Sequence, residues 1–339
     1  MWYAGVAVVV GLLVIGAGIG MRRYTDRDVR TALVVVLAGL MIVTWGGDGL
    51  VQFSAVGIPA VQYRPQLSQI YPALDIGLGL AFVLGSLGIG VWRWPERPRY
   101  AFLGVLVGAW IFYPAIFGDV AGVSISSPGY DLGVAIVFAV PLLLGYILWR
   151  DAGSTLRRAL AFPTARWVGA ATTAIASAYF AFSTGMVSNI PDHSSTHTLS
   201  WTHFQSAVTP LSGPVIEWPA VVFWSPHLEL TGFVSVGMVV LVGTLSVLLG
   251  LLGALTSAAW LSAHGRDGLS GTLGGLGALA GPNACCCCGP IIPQIAVLLL
   301  GPSAASPTFW LFVQPTSPIG TSFLAASLLL MTGSLLSLE

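Results

Sequence analysis

The sequence predicts an all-α integral membrane protein, a polytopic helical bundle of about nine spans, with roughly eight to ten as the range. Three observations predict it. Of 339 residues, 55% are hydrophobic and 8% charged, against roughly 25% charged in a soluble domain. Apolar runs long enough to cross a bilayer recur along the whole chain. The arginines fall on alternate connections between those runs, as the enrichment of positive residues in cytoplasmic loops requires.

The first run, Tyr3 to Gly20, precedes Arg22 and Arg23. A cleavable signal peptide carries its positive charges ahead of the apolar stretch, so this segment is expected to be retained as a span. Further runs of spanning length lie at about 31–50, 70–92, 100–118, 131–149, 166–188, 229–260, 271–300 and 319–338. Arg22, Arg23, Arg27 and Arg30 follow the first span, Arg93, Arg97 and Arg99 the third, Arg150, Arg157, Arg158 and Arg166 the fifth, and Arg266 the seventh. Arg64 alone lies on the other side. This pattern predicts an outside N-terminus and a cytoplasmic C-terminus in a multi-pass protein of the cell membrane.

Three regions follow: a six-span membrane bundle over 1–188, an outer-side loop rich in His and Trp over 189–228, and a three-span module with the cysteines over 229–339. The outer segment contains Trp201, Trp218 and Trp224, and its apolar piece Trp218–Trp224 is too short to span. Indole-rich apolar pieces favour the membrane interface, so this loop is expected to lie folded against the outer face. The sequence shows no soluble domain and no internal repeat.

Composition excludes several functions. The formal charge is zero and no basic run is present, so the lipid bilayer, not nucleic acid, is the expected partner. All 13 basic residues are arginine, which removes any lysine Schiff base and with it a retinal protein. No two histidines lie in facing spans, which argues against bound haem b. The glycine-rich stretch Gly271 to Gly281 lacks the Gly-Lys-Ser/Thr ending of a phosphate-binding loop, so no nucleotide is expected.

Within the spans, Gly104 and Gly108 make a small-xxx-small pair, and Gly77, Gly79, Gly85, Gly88 and Gly90 line the third span, a pattern for close helix approach. Asp75 follows Pro72 near the outer end of that span. A carboxylate at membrane depth faces a cavity or a partner, whereas one this near the end can also reach interfacial water. Asp48 is open to the same two readings.

The sharpest chemical signal is Cys285-Cys286-Cys287-Cys288, which holds every cysteine in the chain. Thiolates are preferred ligands for Cu(I), Zn(II) and other soft ions, although membrane thiols also exchange disulfides or simply pack. Pro282, Pro290 and Pro293 predict that the eighth span is kinked or broken around them. Were the run helical, Cys285 and Cys288 would return to one face, and one ion bound by all four would need a non-helical turn. On the outer side stand His193, His197, His203 and His227; His193 and His197, if helical, share a face at i and i+4, with Asp192 or His203 to complete a metal site. A polar exposed loop is the other reading of the same residues.

The segment Gly277 to Gly301, with small residues, a cysteine pair, a proline three positions after the second cysteine and an aliphatic run ending in glycine, resembles the first helix of MerT-type mercuric ion transport proteins. Cys286, Cys287 and Pro290 carry the resemblance, and the inferred inside-to-outside direction of the span agrees with it. It implies that Cys286 and Cys287 accept a soft metal ion from the outer side and pass it inward. MerT proteins are shorter chains with fewer spans, and their second, cytoplasmic-side cysteine pair has no counterpart here.

These observations point to a membrane protein that binds or moves a soft metal ion, copper before mercury if the outer histidines take part, because imidazole and thiolate together suit copper. An outer-side metal carrier or other membrane subunits would be its partners. Two alternatives stand beside it. One is the membrane subunit of a copper-dependent oxidoreductase built on Asp192, His193, His197 and His203; the other is a structural membrane protein with packing cysteines.

Overall fold

The computed structural model describes residues 2–24, 70–118, 123–184, 186–189, 205–213, 215–225, 230–263 and 318–337, with single positions between 31 and 46 and Leu299. Its helices are α1 (Trp2–Tyr24), α2 (Tyr71–Arg93), α3 (Pro98–Phe117), α4 (Tyr130–Asp151), α5 (Gly153–Ala161), α6 (Pro163–Ser183), α7 (Val236–Ala263) and α8 (Pro318–Ser337). Proline sits in the first turn of α2, α3 and α6 and opens α8, where its missing N–H has no helical partner to lose.

Among the described residues, five helices, α2, α3, α4, α7 and α8, are long and apolar enough to cross a membrane. At 23 residues, α2 is about 35 Å long, more than the roughly 30 Å hydrocarbon core. The apolar part of α1 is shorter, Gly5–Gly18. Although α6 has 21 residues, its Ala, Thr and Ser content leaves it outside the five. The expected ninefold span count is therefore matched only in part: the span at 31–50 is described at scattered helical positions, and that at 271–300 lies outside the described residues apart from Leu299.

Glycines set the closest helix contacts. A Cβ on Gly79 would stand 2.7 Å from Phe112 Cβ and 2.8 Å from the Gly108 carbonyl oxygen, and one on Gly90 would stand 2.5 Å from Ala101 Cβ. This register makes α2 and α3 an antiparallel hairpin in backbone-to-backbone contact, with Gly104 against Ser86. Gly77, Gly85 and Gly88 face open space, so only part of the glycine row predicted to pack does so. The pair α6 and α7 repeats the device, with Gly169 against Ala254 and Gly250 against Thr173. The buried stripe of α4, namely Ile136, Val137, Val140, Leu144, Ile147 and Leu148, recurs at three and four residues and joins the same core.

Many large apolar side chains point away from this core. Leu84, Val91, Leu142 and Leu330 are all exposed, a surface that suits hydrocarbon and not water. Trp92, Trp149 and Trp167 are exposed at 84%, 72% and 75%, in the same part of the chain as Arg93, Arg97, Arg150 and Arg166. Indoles and arginines together at one end of a helical bundle mark a membrane–water boundary. There α5, with Arg157 and Arg158, makes a short helix between α4 and α6.

The expectation of an all-helical chain is corrected at the opposite end. Val187–Asn189 (β1), Gln205–Ser212 (β2), Glu217–Ser225 (β3) and Leu230–Ser235 (β4) form an antiparallel sheet in the order β1-β4-β3-β2. The piece Trp218–Trp224, expected to lie on the membrane, is strand β3, rich in the β-branched and aromatic residues that a half-buried pleat favours. The span expected from 229 begins at Val236, because 230–235 pairs with β1 and β3. Ser235 is buried and its hydroxyl accepts from Met238 N at 3.4 Å, so the last residue of β4 caps the first turn of α7.

Packing fixes the sheet to the helices. Trp218 is 4% exposed, lies against Gly237 and Gly213, and meets Phe138 of α4 edge-on at 6.3 Å between ring centroids. The segment between α3 and α4 joins in: Glu217 N donates to Val123 O at 2.9 Å, and Val123 bridges to Ile216. Val215, in the β2–β3 turn, holds a φ of 70°, an uncommon value for a β-branched residue.

Candidate functional site

Cys285, Cys286, Cys287 and Cys288, together with Asp192, His193, His197 and His203, lie outside the described residues, as do His227, His264 and Asp48. Among the described residues, no three His, Cys, Asp or Glu side chains are grouped to hold a metal ion. What the strands establish is where the histidine-bearing connections are anchored. Asn189 pairs with Leu230, Ser225 pairs with Leu230, and Gln205 pairs with Trp224. The ends of β1 and β3 and the starts of β2 and β4 therefore share one end of the sheet. This end is the one away from the helices, since β4 runs from Leu230 to Ser235 and enters α7 at Val236. Segment 190–204 and segment 226–229 both depart from and return to it.

A polar site is described inside the helices. Tyr71 and Asp75, one turn apart in α2, are each 4% exposed and fall on the face that also buries Gly79. Asp75 Oδ1 and the Tyr71 hydroxyl have no hydrogen-bond partner among the described residues. Of the two readings of Asp75, the structure thus favours a buried carboxyl over one that reaches interfacial water. Some helix hydroxyls are satisfied locally, Thr173 donating to Gly169 O at 2.9 Å and Thr244 to Val240 O at 2.7 Å, whereas the Ser246 and Ser322 hydroxyls are buried without a partner among the described residues. Of these unpartnered groups Asp75 alone is a carboxyl, and a buried polar group without a partner costs roughly 1–3 kcal/mol.

A second polar cluster closes the arginine-bearing end. Arg99 Nε donates to Asp151 Oδ2 at 2.8 Å, a second guanidinium nitrogen donates to Oδ1, and the Tyr100 hydroxyl donates to Oδ2 at 2.8 Å. Trp94 packs edge-on to Tyr100 at 5.6 Å, and Arg97 donates to the Tyr100 hydroxyl at 3.2 Å. Every charge here is paired with a neighbour, so the cluster reads as a structural latch between α3 and α4. Sequence reasoning missed it, since the partners are 52 residues apart; the available signal was an acidic residue ending an apolar run amid arginines.

Comparison with protein-family models, characterised proteins and solved structures finds no match for this chain.

Proposed function

We propose that this chain is a multi-pass protein of the cell membrane that binds or translocates a soft metal ion, copper above others, through the thiols of Cys285, Cys286, Cys287 and Cys288. The observation that carries this reading is that all four cysteines of the chain stand in one run between Pro282 and Pro290. Asp192, His193, His197 and His203 would receive the ion on the outer side, and the resemblance of 277–301 to MerT-type helices makes Cys286 and Cys287 the first candidates to take it. The arginine-bearing end would be cytoplasmic.

One structural feature supports the outer half of the reading. Both histidine-bearing connections are tied to the same end of a hydrogen-bonded sheet, which shortens the distance over which imidazoles must gather. That feature also favours a second reading, a copper-dependent oxidoreductase subunit whose site is formed by the histidines alone. Elemental analysis of protein purified in mild detergent under reducing conditions separates them. Stoichiometric copper, zinc or mercury lost on replacing the four cysteines by serine supports the thiol site. Metal retained in that variant and lost in His193→Ala/His197→Ala supports the second reading, and metal in neither wild type nor variant refutes both.

A further inference from the structure

We infer that Asp75 is a reversible proton-binding site inside the membrane, and that it exchanges protons with the sheet-bearing side. The inference is independent of the thiol site.

Burial is the first argument. Asp75 is 4% exposed in a helix that is apolar enough to cross a membrane, and its Oδ1 has no partner among the described residues. Ionised carboxylates are not kept in apolar surroundings without a counter-charge or donors, because desolvation disfavours the charged form. Among the described residues, no counter-charge comes from the elements packed on α2. From α3, Tyr113 stands at the same end, but its hydroxyl already donates to the Gly129 carbonyl, while Arg99 and Tyr100 stand at the far end and are bound to Asp151. From α8, no ionisable side chain exists between Pro318 and Ser337. On α2 itself the titratable groups are Tyr71, Asp75 and Arg93, and Arg93 is at the opposite end.

Position is the second argument. Asp75 lies four residues into α2 from Tyr71, about 6 Å along the axis, in the first turns at the sheet-bearing end of the helix. Tyr71 lies between Asp75 and that end of the helix, and is likewise buried. A protonated Asp75 presents an O–H that the Tyr71 oxygen can accept, and the Tyr71 O–H in turn can donate to a carboxylate.

The test uses the full-length protein in liposomes, followed by infrared spectroscopy during a pH titration. Expected is a protonated-carboxyl C=O band at neutral pH that shifts on ¹³C labelling of aspartate, disappears reversibly at alkaline pH and is missing from Asp75→Asn. A band that is absent at every pH, or unchanged in Asp75→Asn, overturns the proposal. The wild type supplies a second readout that needs no variant. Dicyclohexylcarbodiimide adds the carboxyl O–H across one C=N bond, and an oxygen-to-nitrogen acyl shift leaves a stable N-acylurea that retains all atoms of both reactants. The peptide containing Asp75 should gain the mass of one carbodiimide, at a rate that falls about tenfold per pH unit above the titration point. An unmodified peptide overturns the proposal.

Discussion

Arg99 in the first turn of α3 and Asp151 at the end of α4 are joined by a forked pair of N–H···O bonds across 52 residues of chain. Their side chains are 14% and 6% exposed, so the pair lies in the partly buried regime where losing one partner strands the other. Arg99→Ala is expected to lower stability by about 3 kcal/mol. Asp151→Asn, which keeps an acceptor for Arg99 and Tyr100, is expected to cost less, about 1 kcal/mol. Thermal unfolding in detergent checks the order, and equal losses would count against the latch.

The glycine contacts predict an asymmetry within the α2–α3 hairpin. Gly108→Leu drives a side chain into Val83 Cγ2 at 2.6 Å and the Gly79 carbonyl at 2.8 Å, and should cost about 2–3 kcal/mol or separate α2 from α3. Gly77→Ala meets nothing within 4 Å and should be neutral to slightly stabilising, by about 0.5 kcal/mol. Melting temperatures of the two variants decide the matter.

Trp218 is the principal anchor of the sheet. Trp218→Ala should cost about 3–5 kcal/mol, because the indole fills the space between Gly213, Gly237 and Phe138. Limited proteolysis should then cut between 184 and 235 sooner than in the wild type, while α2–α3 fragments persist. Cleavage at an unchanged rate would show that the sheet is held by other contacts.

Orientation can be read chemically. In a variant with its four cysteines replaced by serine, Ser126→Cys, in the exposed segment beside the sheet, should react with an impermeant maleimide on intact cells. Glu96→Cys, exposed at the arginine-bearing end, should react only after permeabilisation. The reverse result would invert the inside-outside assignment drawn from the arginines.

The helical part of this architecture was legible because hydropathy acts locally. The runs predicted at 70–92, 100–118 and 131–149 became helices 71–93, 98–117 and 130–151. The sheet was not legible for two physical reasons. Strand β4 is apolar enough to merge with the span that follows it, and β3 interrupts its alternation with Pro219 and a continuous apolar run. Asp75 was visible as an intramembrane carboxylate, whereas its burial depends on neighbouring helices that no local pattern encodes. The cysteine and histidine candidates, read from residue chemistry, lie outside the described residues.

Strand β4 passes into α7 at Ser235–Val236 with no intervening linker, and the hydroxyl of Ser235 is bonded to the first turn of that helix. The junction has no slack. Any torque on the sheet, from an ion or a protein docked at its far end, must therefore either break ladder pairing in β4 or tilt α7 as a lever. The helix is 28 residues long, about 42 Å, so a few degrees at Val236 become an ångström-scale sweep at Ala263, the end from which the chain continues toward its thiols.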